Sequence, residues 1–488
     1  MAIAIYNTLS RRAEEFKPIR SGEVRMYVCG VTVYDECHIG HARSAFIFDV
    51  IRRYFKYRGY NVKFVKNITD VDDKIIEKAR EEVASSDSPL KELNLNDAVK
   101  RIADKYTQRF YEDMGLLDID RADEEPKATE HIQDMIKMIE VLIKNGYAYK
   151  SDGDVYFEVR KYNKYGRLSH QNLDEMLEGA RVDVGEKKKD PLDFALWKAA
   201  KENEPKWEAP WGWGRPGWHI ECSVMSTKYL GDNFDIHGGG RDLIFPHHEN
   251  EIAQSECATG KQFANYWIHN GLLTINGEKM SKSAGNYVTI KDVFKRDVLN
   301  PYSSDVLKLF FLGAHYSHPI DFSWEKMEAT KNAYERFVIL FNKIDREIGR
   351  RENISTSGRD TFNMDIFKAQ QRFEEAMDDN FNTPLAIGAL FDLANLSNKL
   401  LDKKPDGYIF MLKNGVDILK KLGGVLGLTF DIPKKEKSEL WVETAIALRE
   451  KLRKEGEFEE ADRIREDLKR KGIILEDEKD KTYWRRAD

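Results

Sequence analysis

Cysteine is scarce: Cys29, Cys37, Cys222 and Cys257 are the four thiols in 488 residues. A disulfide scaffold needs far more, so each reads as a buried core residue or a metal ligand in a reducing compartment. Long apolar runs are also missing. No stretch approaches the roughly 18–20 apolar residues that a membrane-crossing helix needs. The opening MAIAIYNTLSRRAEEF has too short an apolar run, with charge on the wrong side, for a secretory signal. Nor is there an excess of positive charge, since 78 Lys+Arg against 84 Asp+Glu leave a net −6. That total advertises no nucleic-acid partner, although local basic faces rather than sums decide such binding. Internal repeats and low-complexity tracts are absent. A cytoplasmic chain with no membrane partner is expected.

What is present is a 41% hydrophobic content, enough for real cores, and a 33% charged fraction for the surface. Single cores rarely grow past about 250–300 residues, so several domains are expected. EVRMYVCG reads as a strand ending at Gly30, and a helix follows from about His41. Phe46, Ile47, Val50, Ile51 and Tyr54 recur along it at helical spacing. NVKFVKNIT, after Gly59, reads as the next strand. Strand, loop, helix and strand make a βαβ unit, hence an α/β fold with a parallel sheet and a right-handed crossover.

Residues from about 95 to 220, with loops such as APWGWGRPGWH, read as an insertion. Strand signals return at FDIHGGG and YWIHNGLLTI, and the chain turns helical from about 305. DIPKKEKSEL at 431–440 has linker composition. Two amphipathic helices follow, the second with Phe458, Ala461, Ile464 and Leu468 on one face, and then the β-like runs GIILED and TYWRR. The boundaries expected are 1–300, 301–430 and 431–488.

FPHHENEIAQ at 245–254 invites a metal. A zinc-protease helix needs His at i and i+4 with Glu after the first. Counting from His248 reaches Ile252, so that pattern fails. Counting from His247 reaches Glu251, one turn on and on the same face, and both are good zinc ligands. Glu249 and Cys257 fall on other faces. Cys29 ends the first strand, where α/β sheets bind ligands, and Cys222 begins what reads as the return to the sheet. Spacing specifies this quartet weakly: buried small hydrophobes and a solvated helix face explain the same residues.

CHIGHARS at 37–44 sets two imidazoles at a helix start, where free N–H groups and the dipole favour anions. His38 and His41 can donate to phosphate oxygens that gain charge, and Gly40 permits close approach. Taken alone, capping or core histidines explain them as well. EKMSKSAGN at 278–286 supplies Lys279 and Lys282 in a hydroxyl-rich loop suited to departing pyrophosphate, or equally to a solvated turn. Together the two motifs are highly specific.

They resemble those of the class I aminoacyl-tRNA synthetases. MYVCGVTVYDECHIGHAR, NITDVDDKII, RPGWHIECS, DIHGGGRDLIFPHHENEIAQ and KMSKSAGN narrow the resemblance to the cysteine-specific branch, in that family's order. MDDNFNTP and LEDEKDKTYWRR extend it nearly end to end.

The resemblance implies a Rossmann-type catalytic domain with an insertion, then a stem-contact region and helical bundle. A small C-terminal α+β domain would bind the anticodon. It implies one Zn²⁺ held by Cys29, Cys222, His247 and Glu251, which binds the substrate thiolate. Thiolate binding separates cysteine from serine as shape alone hardly could. ATP with Mg²⁺, L-cysteine and cysteine tRNA are the implied partners of a monomer. His38 and His41 would stabilise the transferring phosphate, and Lys279 and Lys282 the pyrophosphate. Gly238, Gly239 and Gly240 would let adenosine lie against the backbone, or form a tight sheet-edge turn. Gly30, Thr69 and Trp218 match positions near the amino acid, although Trp218 also suits a core. Tyr483, Trp484, Arg485 and Arg486 suit stacking on unpaired bases, or closure of a β-ribbon. A related cysteine–amino-sugar ligase would end earlier; a zinc hydrolase needs the missing histidine; a non-catalytic RNA-binding homologue would not keep both motifs.

Overall fold

The computed structural model describes all residues except 1, 86–87, 173–186, 281–284, 297–298, 300–301, 350–358, 431–439, 479–480 and 487–488. The chain divides into two compact units, Met1–Lys295 with Ser303–Phe430, and Arg296–Tyr302 with Asp431–Asp488. The expected linker at 431–440 lies almost wholly outside the described residues.

At the centre of the first unit is the βαβ unit read from sequence. Strand β1 (Glu23–Thr32), helix α1 (Ile39–Tyr57) and strand β2 (Asn61–Thr69) are followed, after the insertion, by helix α2 (Trp218–Leu230), strand β3 (Phe234–Gly240), helix α3 (Glu249–Thr259) and strand β4 (Ala264–Asn270). The four strands form one sheet in the order β4-β3-β1-β2, and every pair is parallel. The chain leaves β1 toward one edge and β3 toward the other. Their carboxyl ends therefore flank the point where strand order reverses, the crevice in which open α/β sheets bind ligands.

The apolar stripe of α1 behaves as its spacing predicts. Phe46, Ile47, Val50, Ile51 and Tyr54 are all buried, each large side chain contributing about 1.5–3 kcal/mol of transfer free energy. The helix begins two residues before the expected start, because His38 caps it. Strand β1 runs two residues past Gly30, and its pairing with β2 shifts register between Val28 and Val31.

The insertion is an antiparallel sheet ordered Ala148–Ser151, Asp154–Phe157, Phe194–Ala199, Gly212–Pro216 and Trp207–Ala209, beside the helices Leu95–Leu116 and Ile132–Lys144. Its core runs on through Val155, Phe157 and Trp197 into Cys222, Ile252 and Trp267 of the parallel layer. Downstream of residue 302, helices of this unit occupy Ser303–Leu312, Trp324–Gly349, Arg359–Asp378, Thr383–Lys403 and Tyr408–Val425. No helix among the described residues is long and apolar enough to cross a membrane.

The second unit packs helices Leu440–Glu455 and Phe458–Arg470 with the hairpin Ile473–Glu478 and Lys481–Arg486. Ala461 and Leu468 are buried as expected, whereas Phe458 is 61% exposed. As the first residue of its helix, Phe458 has no preceding turn to hold it against the core.

Candidate active site

Three rigid elements converge at the crevice. Cys29 comes from near the end of β1, Cys222 from the middle of α2, Glu251 from the first turn of α3, and His247 from the π-helical turn Ile244–His248 just before it. Cys222 thus lies on the helix by which the chain returns from the insertion to the parallel sheet, since α2 leads directly into β3. Before that helix begins, the strand Gly212–Pro216 has already joined the insertion's own sheet. One donor atom from each of these four residues lies within 4.8 Å of the others. Cys29 Sγ is 3.7 Å from Cys222 Sγ and 3.3 Å from Glu251 Oε1. His247 Nε2 is 3.0 Å from Glu251 Oε1. Two sulfurs at 2.3 Å from a tetrahedral zinc stand roughly 3.8 Å apart, so the thiol spacing fits that ion.

The electrostatics point the same way. His247 is raised to about 10: burial acts against this, and the Glu251 carboxylate overcomes it. Glu251 is itself held well below the usual carboxylate range, since His237 and His247 outweigh its burial. Of the two thiols, Cys222 is lowered to about 6, with burial opposed by the hydrogen bond from Cys29 and by His247. Protonated His247 already compensates the charge of Glu251, and a bound metal ion would take the place of that proton.

Sequence reasoning missed the imidazoles around this quartet. His237 Nε2 lies 2.8 Å from Glu251 Oε2, and its ring stacks on Trp267 at 4.4 Å. His248 Nε2 is 3.3 Å from Cys29 Sγ, while its Nδ1 is 2.8 Å from His269 Nε2. Cys29, His237, His248 and Glu251 consequently form a second donor set sharing two members with the first. His219 Nδ1 sits 2.9 Å from His247 Nδ1. The usable signal was strand alternation: His237 and Tyr27 are register partners on β3 and β1, beneath the sheet's ligand end. Glu249 does turn away, as expected, and accepts the backbone N–H groups of Gly166, Leu168 and Ser169.

The residues expected near an amino acid surround this cluster. Trp218 opens α2, is 38% exposed, and stacks its ring on His247 at 4.1 Å. Gly30 donates its N–H to Asn67 Oδ1 at 2.8 Å, and a Cβ there would fall 1.6 Å from the Asn67 carbonyl oxygen. Thr69 is buried, donating to Glu221 Oε2 and accepting from Asn67 Nδ2, each at 3.1 Å. Its hydroxyl thereby links Asn67 to Glu221 and keeps one acceptor lone pair in reserve.

The expected nucleotide motifs also meet. His38 Nδ1 accepts the N–H groups of Gly40 (3.0 Å) and His41 (3.3 Å), and the two imidazoles stack at 3.7 Å. Burial lowers His38 to about 4 and His41 to about 3. Both rings are neutral at pH 7, and because His38 Nδ1 accepts, its proton sits on Nε2. Met280 Cε approaches within 3.6 Å of a Cβ built on Gly40. Past the loop, Ile39 N–H donates to Val288 O (3.1 Å) and Ile290 N–H to Cys37 O (3.3 Å). Lys279 ends the short strand Glu278–Lys279 and is exposed; Lys282 lies outside the described residues.

Two expectations are corrected. A Cβ on Gly238 would strike Phe48 at 2.3 Å and one on Gly239 would strike His248 at 2.8 Å, so both glycines are buried by helix–sheet packing rather than open to adenosine. Gly240 alone of the three is partly exposed. Trp484 is buried at 7% exposure among Val442, Ile446, Leu468, Ile473 and Leu475, so its ring closes a core instead of offering a stacking face. Tyr483, Arg485 and Arg486 share its strand, but their side chains lie outside the described residues.

Comparison with known proteins agrees with this layout. Residues 15–332 match the family described as tRNA synthetases class I (C) catalytic domain. Residues 372–431 match the DALR domain, and 442–485 the cysteinyl-tRNA ligase anticodon binding domain. The cysteine–tRNA ligase of Sulfurihydrogenibium sp. is 49% identical over 508 residues, covering 100% of both chains. That of Thermococcus onnurineus is 48% identical over 494 residues, covering 100% of this chain and 99% of its own. A methionyl-tRNA synthetase structure from Mycobacterium tuberculosis shares the fold at TM-score 0.63 and 15% identity, covering 86% of this chain and 95% of its own. The chain belongs to the cysteinyl-tRNA synthetase family of class I aminoacyl-tRNA synthetases.

Proposed function

We infer that the chain activates L-cysteine with ATP and joins it to the 3′ end of cysteine tRNA. The observation that carries this reading is a two-thiol, histidine and glutamate cluster at the switch point of the sheet that also holds the His38–His41 loop. In the first step the cysteine carboxylate attacks the α-phosphorus of ATP. A carboxylate–phosphorus bond forms, and pyrophosphate leaves with the bridging-bond electrons. In the second, a hydroxyl of the terminal tRNA adenosine, the 2′-OH in this class, attacks the acyl carbon. AMP departs, and the hydroxyl proton is released.

The chain's residues divide this work. His38, with Nδ1 occupied by the backbone, presents an Nε2–H donor to the phosphate that gains charge. Neutral His41 stacks on it and fixes its ring plane. Lys279 and Lys282 supply cationic charge for the leaving pyrophosphate and its Mg²⁺. Gly240 offers backbone at the sheet end for the adenosine. Cys29, Cys222, His247 and Glu251 would hold a zinc ion, which when bound supplies a thiolate-selective open ligand position. The alternative set has one thiol and two imidazoles; the softer two-thiol set suits zinc better. Trp218 packs on His247 and orients that ring. The segment matched at 442–485 would read the anticodon, with Tyr483, Arg485 and Arg486 as contacts and Trp484 as the core beneath them.

Cysteine-dependent ATP–pyrophosphate exchange tests this reading, run with serine as competitor and again after chelation. Exchange with cysteine but not serine, lost on chelation and restored by zinc, is expected. Equal exchange with serine would sink thiolate selection, and exchange without tRNA charging would favour the amino-sugar ligase.

A further inference from the structure

Behind the His38–His41 loop, four charged side chains meet from three segments. Glu36 precedes the loop, and Lys291 lies in the short helix Ile290–Phe294 just past KMSKS. Arg109 and Asp113 stand one turn apart on the insertion helix Leu95–Leu116. Lys291 Nζ is 2.9 Å from Glu36 Oε2 and 3.9 Å from Asp113 Oδ1, and Arg109 Nε is 3.8 Å from Glu36 Oε1. Asp113 is only 1% exposed, and its Oδ1 has no hydrogen-bond partner among the described residues. The signs alternate, so Glu36 faces two cations and Lys291 faces two carboxylates.

The same segments are joined by shorter-range links. Tyr287 donates its hydroxyl proton to Glu36 O at 2.8 Å, and Asn286 Nδ2 donates to Lys279 O at 3.2 Å. The stretch carrying Lys279 is thereby tied to the one carrying Tyr287, and that in turn to Glu36, two residues before His38. No substrate contact is needed from Glu36 or Lys291 for them to matter. Adenylation demands that an imidazole on one segment and an ammonium on another address one triphosphate together, and misplacement of about 1 Å costs on the order of 100-fold.

We propose that Glu36 and Lys291 are positioning residues for amino-acid activation: their ion pair, flanked by Asp113 and Arg109, sets the spacing between the His38–His41 loop and the segment bearing Lys279. This rests on the synthetase reading above. The pair is partly solvated, with side chains 33% and 30% exposed, so a solvated ion pair of this kind adds little stability. Its removal should therefore leave folding intact while slowing the reaction.

The test is steady-state ATP–pyrophosphate exchange on Glu36→Gln, Lys291→Met, the double variant and Lys291→Arg, with thermal melting of each. Expected are kcat losses of about 10- to 100-fold for each single variant, as misplacement predicts, with the KM for cysteine unchanged. The melting temperature should hold in Glu36→Gln and Lys291→Arg, whereas Lys291→Met also strips buried Asp113 of its cation and should melt lower. The double variant should be no slower than the worse single one, and Lys291→Arg should retain most activity. Unchanged kcat, multiplicative losses in the double variant, or a melting temperature that falls with kcat in Glu36→Gln would overturn the positioning role. Absence of cysteine-dependent exchange in the unmodified chain would instead defeat the synthetase reading itself.

Discussion

Single side chains at this site carry two duties, and His38 shows why a motif alone leaves its role open. The sequence supports either a helix cap or a phosphate donor; the ring performs the first with Nδ1 and leaves Nε2 for the second. His38→Asn should separate them, since an amide oxygen at the δ position still caps while the ε donor is gone. We expect melting to stay close to that of the parent and exchange kcat to fall about 10²–10³-fold, the cost of losing one preorganised donor. The donor sets around Glu251 can be separated in the same way. Cys222→Ala should empty the site of zinc, measured by atomic emission against protein concentration. His237→Asn should leave the metal bound but about 10–100-fold weaker, as expected for a residue that orients a ligand. Zinc retained by Cys222→Ala and lost from His237→Asn would assign the ion to the other set. The angular reasoning that kept His247 and Glu251 and rejected a protease helix named two residues that do meet, although His247 sits in a π-helical turn before α3: its Nε2 is 3.0 Å from Glu251 Oε1. It could not reveal His237, which reaches Glu251 from a different element.

At the scale of elements, legibility followed periodicity. The βαβ unit could be read because α1 buries one continuous stripe and its strands are flanked by glycines. The helix carrying Cys222 went unread because WHIECSVMSTKYL lacks such a stripe: α2 is apolar and polar by turns, wedged between the sheet and α3. The HGGG segment misled for a related reason. Glycine in a strand signals close approach, but not of what. At Gly238 the close neighbour is Phe48 of α1, and Gly238→Ala tests that contact. Overpacking there should cost about 1–3 kcal/mol in urea unfolding, and adding Phe48→Leu should recover most of it. A Gly238→Ala chain of full stability with a raised KM for ATP would return the glycine to the nucleotide.

For the molecule as a whole, the C-terminal unit carries an acid-sensitive ion pair of its own. In the C-terminal unit Arg449, 1% exposed at its side chain, donates to both Asp477 oxygens at 2.8 and 2.9 Å and to Thr482 Oγ1 at 3.1 Å. That guanidinium, helped by Thr482 and opposed by burial, lowers Asp477 to about 2. A carboxyl lowered on folding contributes stability that is complete above its unfolded value of 3.8 and lost as pH falls toward 2. Hydrogen-exchange protection, corrected for the intrinsic rate at each pH, should fall between pH 4 and 2 on peptides spanning 440–478 in the full chain. Arg449→Met should exchange faster at neutral pH and respond less to acid over that window. Composition gave no hint of this pair, because 28 residues separate its members. Nor did the TYWRR run disclose that Trp484 faces inward, since alternation fixes opposite faces without saying which is covered.

The register shift between Val28 and Val31 has a consequence for how specificity could change over generations. Cys29 and Gly30 sit where the ladder resets, so a one-residue slip in pairing would carry the thiol to the other side of the sheet. Loop-bound sites tolerate insertion, and drift by degrees. In this chain one of the four candidate ligands is held by strand pairing, so its position could not be retuned by small steps while the sheet keeps its register.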